Sequence, residues 1–374
     1  MGFIFIDGNN LAIRSAFANS ELSVNLGNNE DNAHPDDIFD ISNEFPTGVL
    51  HGFFRSIIFL KKEFPCHYMA IVWDGGNSRR KKMTEPAIKN KMIKNGYKEN
   101  RITDSPKKEI LNYLMQKEVL KEAISLTNIP QIIMKDEEAD DVVCSYVHKY
   151  KSTNQQIVLY TTDKDYYQLL DENVLIFKDN LLMSSQDFEK TYGIPPNLWV
   201  DACAFSGDTS DNIFGVPGWG EKTSIAAISE YGSFGNTYLN LHEKYDHLKK
   251  KYPDITSESD FEELSCKKTS SGKLKYPEIV IQMPFTGVAL AFERGLIKMP
   301  KAALNALIYE YRARLAFELK KMICDLKVPN LPGTFGKKAW NRNKEGDFQS
   351  FCLKYSLHEI LESSQMICSD QVAI

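Results

Sequence analysis

The sequence predicts an α/β protein built on a mostly parallel central sheet covered by helices, and three observations carry that prediction. Short apolar runs, Phe3-Ile4-Phe5-Ile6 and Tyr68 to Trp73, have the length and continuity of strands buried on both faces, and Gln156 to Tyr160 reads as a further strand. Stretches of helical periodicity alternate with them, as they do when parallel strands are joined by crossovers. An acid follows each run: Asp7, Asp74 and Asp163. Open α/β sheets gather ligand groups at the carboxyl ends of their strands, so right-handed crossovers bring these three acids to one edge.

In chain order, Asp7-Gly8-Asn9-Asn10 closes the first strand, and Leu11 to Phe17 continues as a short helix with Arg14 facing the same region. Ser20 to Phe45 is polar and rich in Asn and acids, which predicts a long mobile loop. Gly48 to Lys62 reads as a helix with Val49, Phe53, Ile57 and Leu60 as its core stripe, and His51 as a packing or surface residue. Asp74-Gly75-Gly76 ends the second strand, and a basic stretch follows it directly. Lys108 to Thr127 is an amphipathic helix stopped by Asn128-Ile129-Pro130, and Gln131 to Met134 is a third strand. Asp136 to Asp141 then opens a helix with Val142, Val143, Tyr146 and Val147 inward. Thr161 to Asp165 ends the fourth strand, a helix through Leu170 follows, and Val174 to Lys178 is a fifth strand.

The densest stretch is Ser206 to Ser224, SGDTSDNIFGVPGWGEKTS. Asp208 and Asp211 lie three apart at the end of an apolar helical pattern (Leu198 to Phe205), a spacing that lets two carboxylates face the same way. Gly215, Gly218 and Gly220 allow a tight turn and a close backbone approach. Glu221-Lys222-Thr223-Ser224 opens a second helix, whose N-terminal N–H groups and dipole suit a phosphate. Beyond it, Phe234 to Pro300 is poorly patterned and charged. Ala302 to Leu326 is helical, Phe348 to Leu361 is a last helix, and the tail from Glu362 is expected to be loose.

Composition narrows the class. At 374 residues with 43% hydrophobic and 25% charged residues, the chain has the make-up of a soluble globular protein of one large or two ordinary domains. No apolar run is long enough to span a bilayer. The seven cysteines are scattered without CxxC spacing, which predicts reduced thiols in a cytoplasmic protein and neither a zinc site nor a disulfide frame. The net charge of −5 conceals an asymmetry: nine Lys and Arg lie between Arg79 and Arg101, against only Glu85 and Glu99. That run leaves a strand-end aspartate, so it is expected over the site and in contact with phosphates.

The candidate acids are Asp7, Asp74, Glu138, Asp140, Asp141, Asp163, Asp165, Asp208 and Asp211. Acids in a first helical turn are ordinary dipole partners. Five in the six positions Asp136 to Asp141 exceed that need, because their repulsion is costly without a cation. Oxygen ligands without a His or Cys cluster suit Mg²⁺ or Mn²⁺. Two such ions about 4 Å apart activate water and stabilise a leaving oxygen in phosphodiester hydrolysis, and Lys98 and Arg101 would offset charge on the phosphate.

IDGNN, VWDGG, YKENR, EEADD, TTDKD and SGDTSDNIFGVPGWGEKTS occur here in the order found in the 5′ nuclease (flap endonuclease) family. The chain resembles the 5′-3′ exonuclease domain of bacterial DNA polymerase I and the free-standing 5′ nucleases of bacteriophages. The resemblance covers most of residues 1–235 and the helices near Ala302–Leu361. It implies a PIN-like nuclease core with a helical arch (76–115) over residues 1–195. A helix-hairpin-helix-type DNA-binding region with C-terminal helices would then cover 196–374. It also implies a 5′-3′ exonuclease and flap endonuclease acting in replication and repair.

In this resemblance Asp7, Asp74, Glu138, Asp140 and Asp141 match ligands of a first metal, and Asp163, Asp165, Asp208 and Asp211 those of a second. Tyr97, Lys98 and Arg101 match the catalytic residues of the arch. Arg79, Arg80 and Lys81 join the DNA-binding set with Gly215, Val216, Gly218, Gly220, Lys222 and Thr223, the hairpin that grips duplex DNA, in the family often with K⁺. Implied partners are DNA with 5′ ends, flaps or branches, RNA–DNA hybrids, and replication proteins such as a single-strand-binding protein or a polymerase. The protein is expected to be a monomer, without a membrane, in the cytoplasm of a bacterial or phage-infected cell. With no polymerase domain following, a free-standing, phage-like nuclease is the expectation. The Ser20–Phe45 and Phe234–Pro300 segments exceed the usual pattern.

Three rival readings differ in testable ways. RNase H-type removal of RNA primers uses the same phosphate grip, which is blind to sequence. A non-catalytic branched-DNA binder would gain nothing from nine acids beside phosphates. A haloacid-type phosphatase needs a second Asp directly after the first strand, and Asp7-Gly8-Asn9 lacks it.

Overall fold

The computed structural model describes residues 2–26, 44–99, 106–281, 283–331, 344–369 and 371. β1 (Gly2–Asp7) leads into α1 (Gly8–Ala18), and a small ribbon of β2 (Ser23–Asn25) and β3 (Glu44–Pro46) precedes α2 (Gly48–Glu63). β4 (His67–Trp73), α3 (Ser78–Lys89), α4 (Lys108–Ser125), β5 (Gln131–Ile133), α5 (Ala139–Tyr150) and β6 (Gln156–Tyr160) follow. β7 (Val174–Lys178) and β8 (Leu181–Met183) complete a six-stranded sheet of order β5-β4-β1-β6-β7-β8. All its pairings are parallel except β7–β8.

Strand periodicity of two divides the core. Phe3, Phe5, Tyr68, Ala70, Val72, Ile157 and Leu159 face one side, against Val142, Val143 and Tyr146 of α5. Ile4, Ile6, Met69, Ile71, Trp73 and Val158 face the other, against Leu11, Val49, Phe53 and Ile57 of α1 and α2. The expected stripe of α2 is buried, and each of its large side chains contributes about 1.5–3 kcal/mol on burial.

The second half begins with α6 (Ser185–Tyr192) and α7 (Trp199–Ser206), then the two-residue strands β9 (Gly207–Asp208) and β10 (Ile213–Phe214). α8 (Glu221–Tyr231), α9 (Phe234–Lys251), α10 (Glu258–Ser265), α11 (Thr286–Glu293), α12 (Lys301–Ile308) and α13 (Glu310–Lys320) follow, and α14 (Lys344–Lys354), α15 (His358–Leu361) and α16 (Ser364–Cys368) end the described chain.

Several expectations are corrected. The segment after Ser20 is closed by the β2–β3 ribbon; residues 27–43 lie outside the described residues. Phe234 to Pro300 holds three helices, and α9 buries Phe234, Tyr238, Leu241 and Tyr245, a spacing near one helical face that charged residues mask in the sequence. The tail beyond Glu362 forms α16 and buries Ile367 and Cys368. The C-terminal helices pack against the first half. Phe348 packs on Phe54 with ring centroids 5.1 Å apart, and Phe351, Leu357, Ile360 and Ile367 join the core beneath α2. Gln371 donates to Met69 O and accepts from Met69 N, at 2.8 and 3.1 Å, on the flank of β4 that the short β5 leaves unpaired. Among the described residues no helix is long and apolar enough to cross a membrane.

α9 and α13 are pinned by His242, which lies 2.9 Å from Asp246 and 2.8 Å from Glu310. Partial burial lowers the His242 pKa, but hydrogen bonds and charge from Asp246 and Glu310 outweigh it and raise the imidazole above its usual 6.5. A raised cation adds stability fully below pH 6.5, and loses it as pH climbs through the folded-state value. His242→Ala is therefore expected to lower the melting temperature at about pH 5.5 and to have little effect near pH 9, read by thermal denaturation.

Candidate active site

The sheet register sets the site. Asp7 ends β1 opposite Val72, Asp74 follows two residues on, just past β4, and Asp163 follows β6 on the other flank. The asparagines of the first turn lock these ends together. Asn9 Nδ2 donates to Asp74 Oδ2 at 2.6 Å, and Asn10 Oδ1 accepts from the Thr162 N–H and hydroxyl at 3.2 and 3.1 Å. Asp7 accepts from the Asn10 N–H at 2.9 Å and caps α1. Asp74 Oδ1 accepts from the Ala139 N–H at 2.8 Å, which fixes the start of α5 and its acids. Burial, and then the charge of Asp74, push Asp7 up to about 8. Such crowding favours a cation.

Two compact carboxylate groups stand here. Glu138, Asp140 and Asp141 each offer an oxygen within 4.8 Å of the others, and so do Asp165, Asp208 and Asp211. Tyr97 joins them: its hydroxyl lies 3.2 Å from Glu138 and 3.3 Å from Asp211. Lys98 Nζ donates to Glu138 Oε1 and lies 3.8 Å from Asp211. Its backbone is left-handed (φ 57), held by its N–H on Asp211 O at 2.9 Å. Such a conformation costs a non-glycine residue on the order of 1 kcal/mol and persists only where neighbours fix it. Burial penalises the Lys98 charge, yet Glu138 and Asp211 keep its pKa raised. Burial pushes Asp141 up to about 6 and Asp165 up to about 7, even with Arg80 and Lys320 beside them. Asp163 Oδ1 accepts from the Asp165 N–H at 2.9 Å, and burial raises its pKa too.

Asp208 and Asp211 converge as expected, but from a hairpin and not from a helix. β9 pairs with β10, and a Cβ on Gly215 would meet Gly207 N and Phe205 O at 2.4 Å. That contact explains a glycine at 215. In the turn after it, Gly218 is left-handed (φ 84), and Asn305 Nδ2 donates to Pro217 O at 2.7 Å. Gly218, Gly220, Lys222 and Thr223 are exposed at the start of α8.

Two of the expected DNA contacts are corrected. Val216 is buried and its N–H already donates to Phe205 O at 2.8 Å, so neither group faces outward. Arg80 is also buried. Its guanidinium donates to Glu138 Oε2 and, at 2.7 and 2.9 Å, to both oxygens of Asp141, while Nε donates to Leu319 O at 2.9 Å. The reason is helical phase: Arg80, Thr84 and Ala87 form the inward face of α3, whereas Arg79 and Lys81 are exposed. Arg101 lies outside the described residues.

Sequence reasoning missed Lys320. At the end of α13, its ammonium donates to Asp165 Oδ2 at 2.7 Å and to Asp208 Oδ2 at 2.6 Å. Against the penalty of burial, Lys320 and the hydroxyl and N–H of Ser210 hold Asp208 down to about 2.

A family model described as 5′-3′ exonuclease, N-terminal resolvase-like domain, matches residues 2–193. The chain belongs to the 5′-3′ exonuclease family. A second model of this family, 5′-3′ exonuclease, C-terminal SAM fold, matches residues 194–267. A 5′-3′ exonuclease of Aquifex aeolicus is 30% identical over 290 residues, covering 72% of this chain and 88% of that protein. DNA polymerase I of Caldicellulosiruptor bescii is 32% identical over 262 residues, covering 67% of this chain and 27% of the polymerase. The chain thus spans about a quarter of such polymerase relatives' length. The catalytic core of Rad2 in complex with DNA substrate has the same fold, with a TM-score of 0.50 at 14% identity, covering 98% of this chain and 92% of that one. The oxygen-only donor set of this 5′-3′ exonuclease family member fits hard divalent cations.

Proposed function

We propose that this protein is a structure-specific 5′ nuclease that removes 5′ ends and cuts branched DNA where single and double strands meet. The observation that carries this reading is the junction of the two carboxylate groups by Tyr97 and Lys98, beside an exposed glycine turn at the start of α8. Asp7, Asp74, Glu138, Asp140 and Asp141 would hold one Mg²⁺ or Mn²⁺, and Asp163, Asp165, Asp208 and Asp211 a second. When bound, such ions supply an activated water and charge stabilisation at a phosphodiester.

The chain's own residues do the rest. Gly218, Gly220 and the first N–H groups of α8, with Lys222 and Thr223, bind the duplex backbone, and the turn is the place for K⁺. Gly215 lets that turn approach β9. Arg79 and Lys81 on α3 offer positive charge to the strand entering between α3 and α4. Tyr97, its pKa raised first by burial, stays a hydrogen-bond donor that keeps Glu138 and Asp211 in place. Lys98, aimed by Glu138, sets a fixed positive charge against the scissile phosphate; for Arg101, outside the described residues, the same role rests on the motif YKENR. Residues 1–195 form the nuclease part and the helices from 196 the DNA-binding part, with α14–α16 assigned to the former. DNA is the partner, in the cytoplasm of a bacterial or phage-infected cell.

A 5′-flap DNA labelled at the flap end tests the reading. With Mg²⁺ a short labelled product ending near the junction is expected, and EDTA abolishes it. Tight binding without product in Mg²⁺ or Mn²⁺ favours the non-catalytic binder, and faster cutting of a matched RNA–DNA hybrid favours primer removal. Lys98→Ala is expected to lower the single-turnover rate on the order of a hundredfold while changing flap affinity little. A loss confined to affinity would make Lys98 a binding residue.

A further inference from the structure

We propose that Lys320 is the resident counter-ion of the second carboxylate group, and that a divalent cation enters that group only by displacing it. The inference rests on the metal-dependent reading above and adds a residue to it. The Lys320 side chain is only 4% exposed. Its ammonium lies within hydrogen-bond distance of Asp165 and Asp208 together, two of the three acids whose oxygens converge there. A hard cation bound by those carboxylates needs their oxygens at about 2.0–2.1 Å for Mg²⁺, which is the space the ammonium fills. Cation and ammonium therefore exclude each other.

The placement is built and not incidental. The backbone around Lys320 is stitched to the first acid group, to its partner Arg80 and to the turn after β6. Leu319 O accepts from Arg80 at 2.9 Å, Lys320 O accepts from Gln168 Nε2 at 3.1 Å, and the Ile323 N–H donates to Asp141 Oδ1 at 2.8 Å. With its main chain fixed on both sides, the lysine delivers its charge to one place. The first group carries its own cations, Arg80 on Glu138 and Asp141 and Lys98 on Glu138. Lys320 contacts Asp165 and Asp208 and acts on the second group alone.

Mn²⁺ titrated into the whole protein without DNA, followed by calorimetry, tests this apart from any cleavage. Lys320→Gln removes the charge and keeps a polar head, and is expected to tighten one of the two Mn²⁺ equilibria at least tenfold (about 1.4 kcal/mol) while leaving the other unchanged. Lys320→Arg keeps the charge and stays near the wild type. Unchanged Mn²⁺ binding in Lys320→Gln, or weaker binding, overturns the proposal. Should Lys320→Gln fail to fold, the ¹⁵Nζ resonance of Lys320 in the wild type decides. It is expected to move as Mg²⁺ binds, and a resonance indifferent to Mg²⁺ overturns the proposal. A protein that binds ions as expected yet leaves flap DNA intact would fail the nuclease reading alone.

Discussion

Changing Asp163 or Asp208 to Asn is expected to leave 5′-flap DNA bound and to lower cleavage on the order of a thousandfold. Asn matches Asp in shape, so the local hydrogen bonds survive. An Asn at 163 still accepts from the Asp165 N–H, and one at 208 still accepts from Ser210. What disappears is charge. Asp208 is anionic at any working pH, because Lys320 and Ser210 hold it down to about 2 against burial. The phosphate grip proposed for the start of α8 uses other groups, so affinity measured by anisotropy in EDTA is expected to stay near that of the wild type. Single-turnover cleavage in Mg²⁺ is the decisive reading. Cutting that survives either change would sink the assignment of the second group.

Arg80→Ala is expected to destabilise the fold by about 3–5 kcal/mol, the usual loss when one partner of a buried ion pair is removed. Asp141 would then lose its partner, Glu138 would keep only Lys98, and Leu319 O would lose its donor. Lysine at this position does not restore it, since one ammonium cannot reproduce the forked contact with both oxygens of Asp141. Urea denaturation in EDTA near pH 8 measures the loss, with the midpoint shifting at constant slope. A change below about 0.5 kcal/mol, as for an ordinary surface residue, would return Arg80 to the surface and to DNA.

The sheet and the convergence of acids were legible in the sequence because both are local patterns. Apolar runs of strand length name the strands, and a carboxylate at the end of each names the edge. Arg80 was not legible in the same way. It stands in a run of four basic residues, and only the small inward neighbours Thr84 and Ala87 betray that this one turns in. Lys320 was hidden more deeply. A lysine in a last helical turn reads as a partner for the helix dipole, and its real partners lie 155 and 112 residues away in the chain. Asp208 and Asp211 were placed together for the wrong reason. Their spacing suits a helix, yet a hairpin between Gly207 and Phe214 brings them together. Charge density likewise masked α9, whose buried aromatics carry its period.

The packing of α14–α16 beneath α2 has a consequence for biosynthesis. Phe54 meets Phe348, Lys61 donates to Met366 O at 2.8 Å, and Asn128 donates to Cys368 O at 2.6 Å, pairs 240 to 305 residues apart or nearly so. During translation the sheet and α2 emerge long before their cover. The nascent chain carries an open apolar face until the last helices leave the ribosome, and closing it needs contacts of high sequence separation, which form slowly. Chains halted before Lys344 are expected to aggregate, which light scattering of such truncations measures.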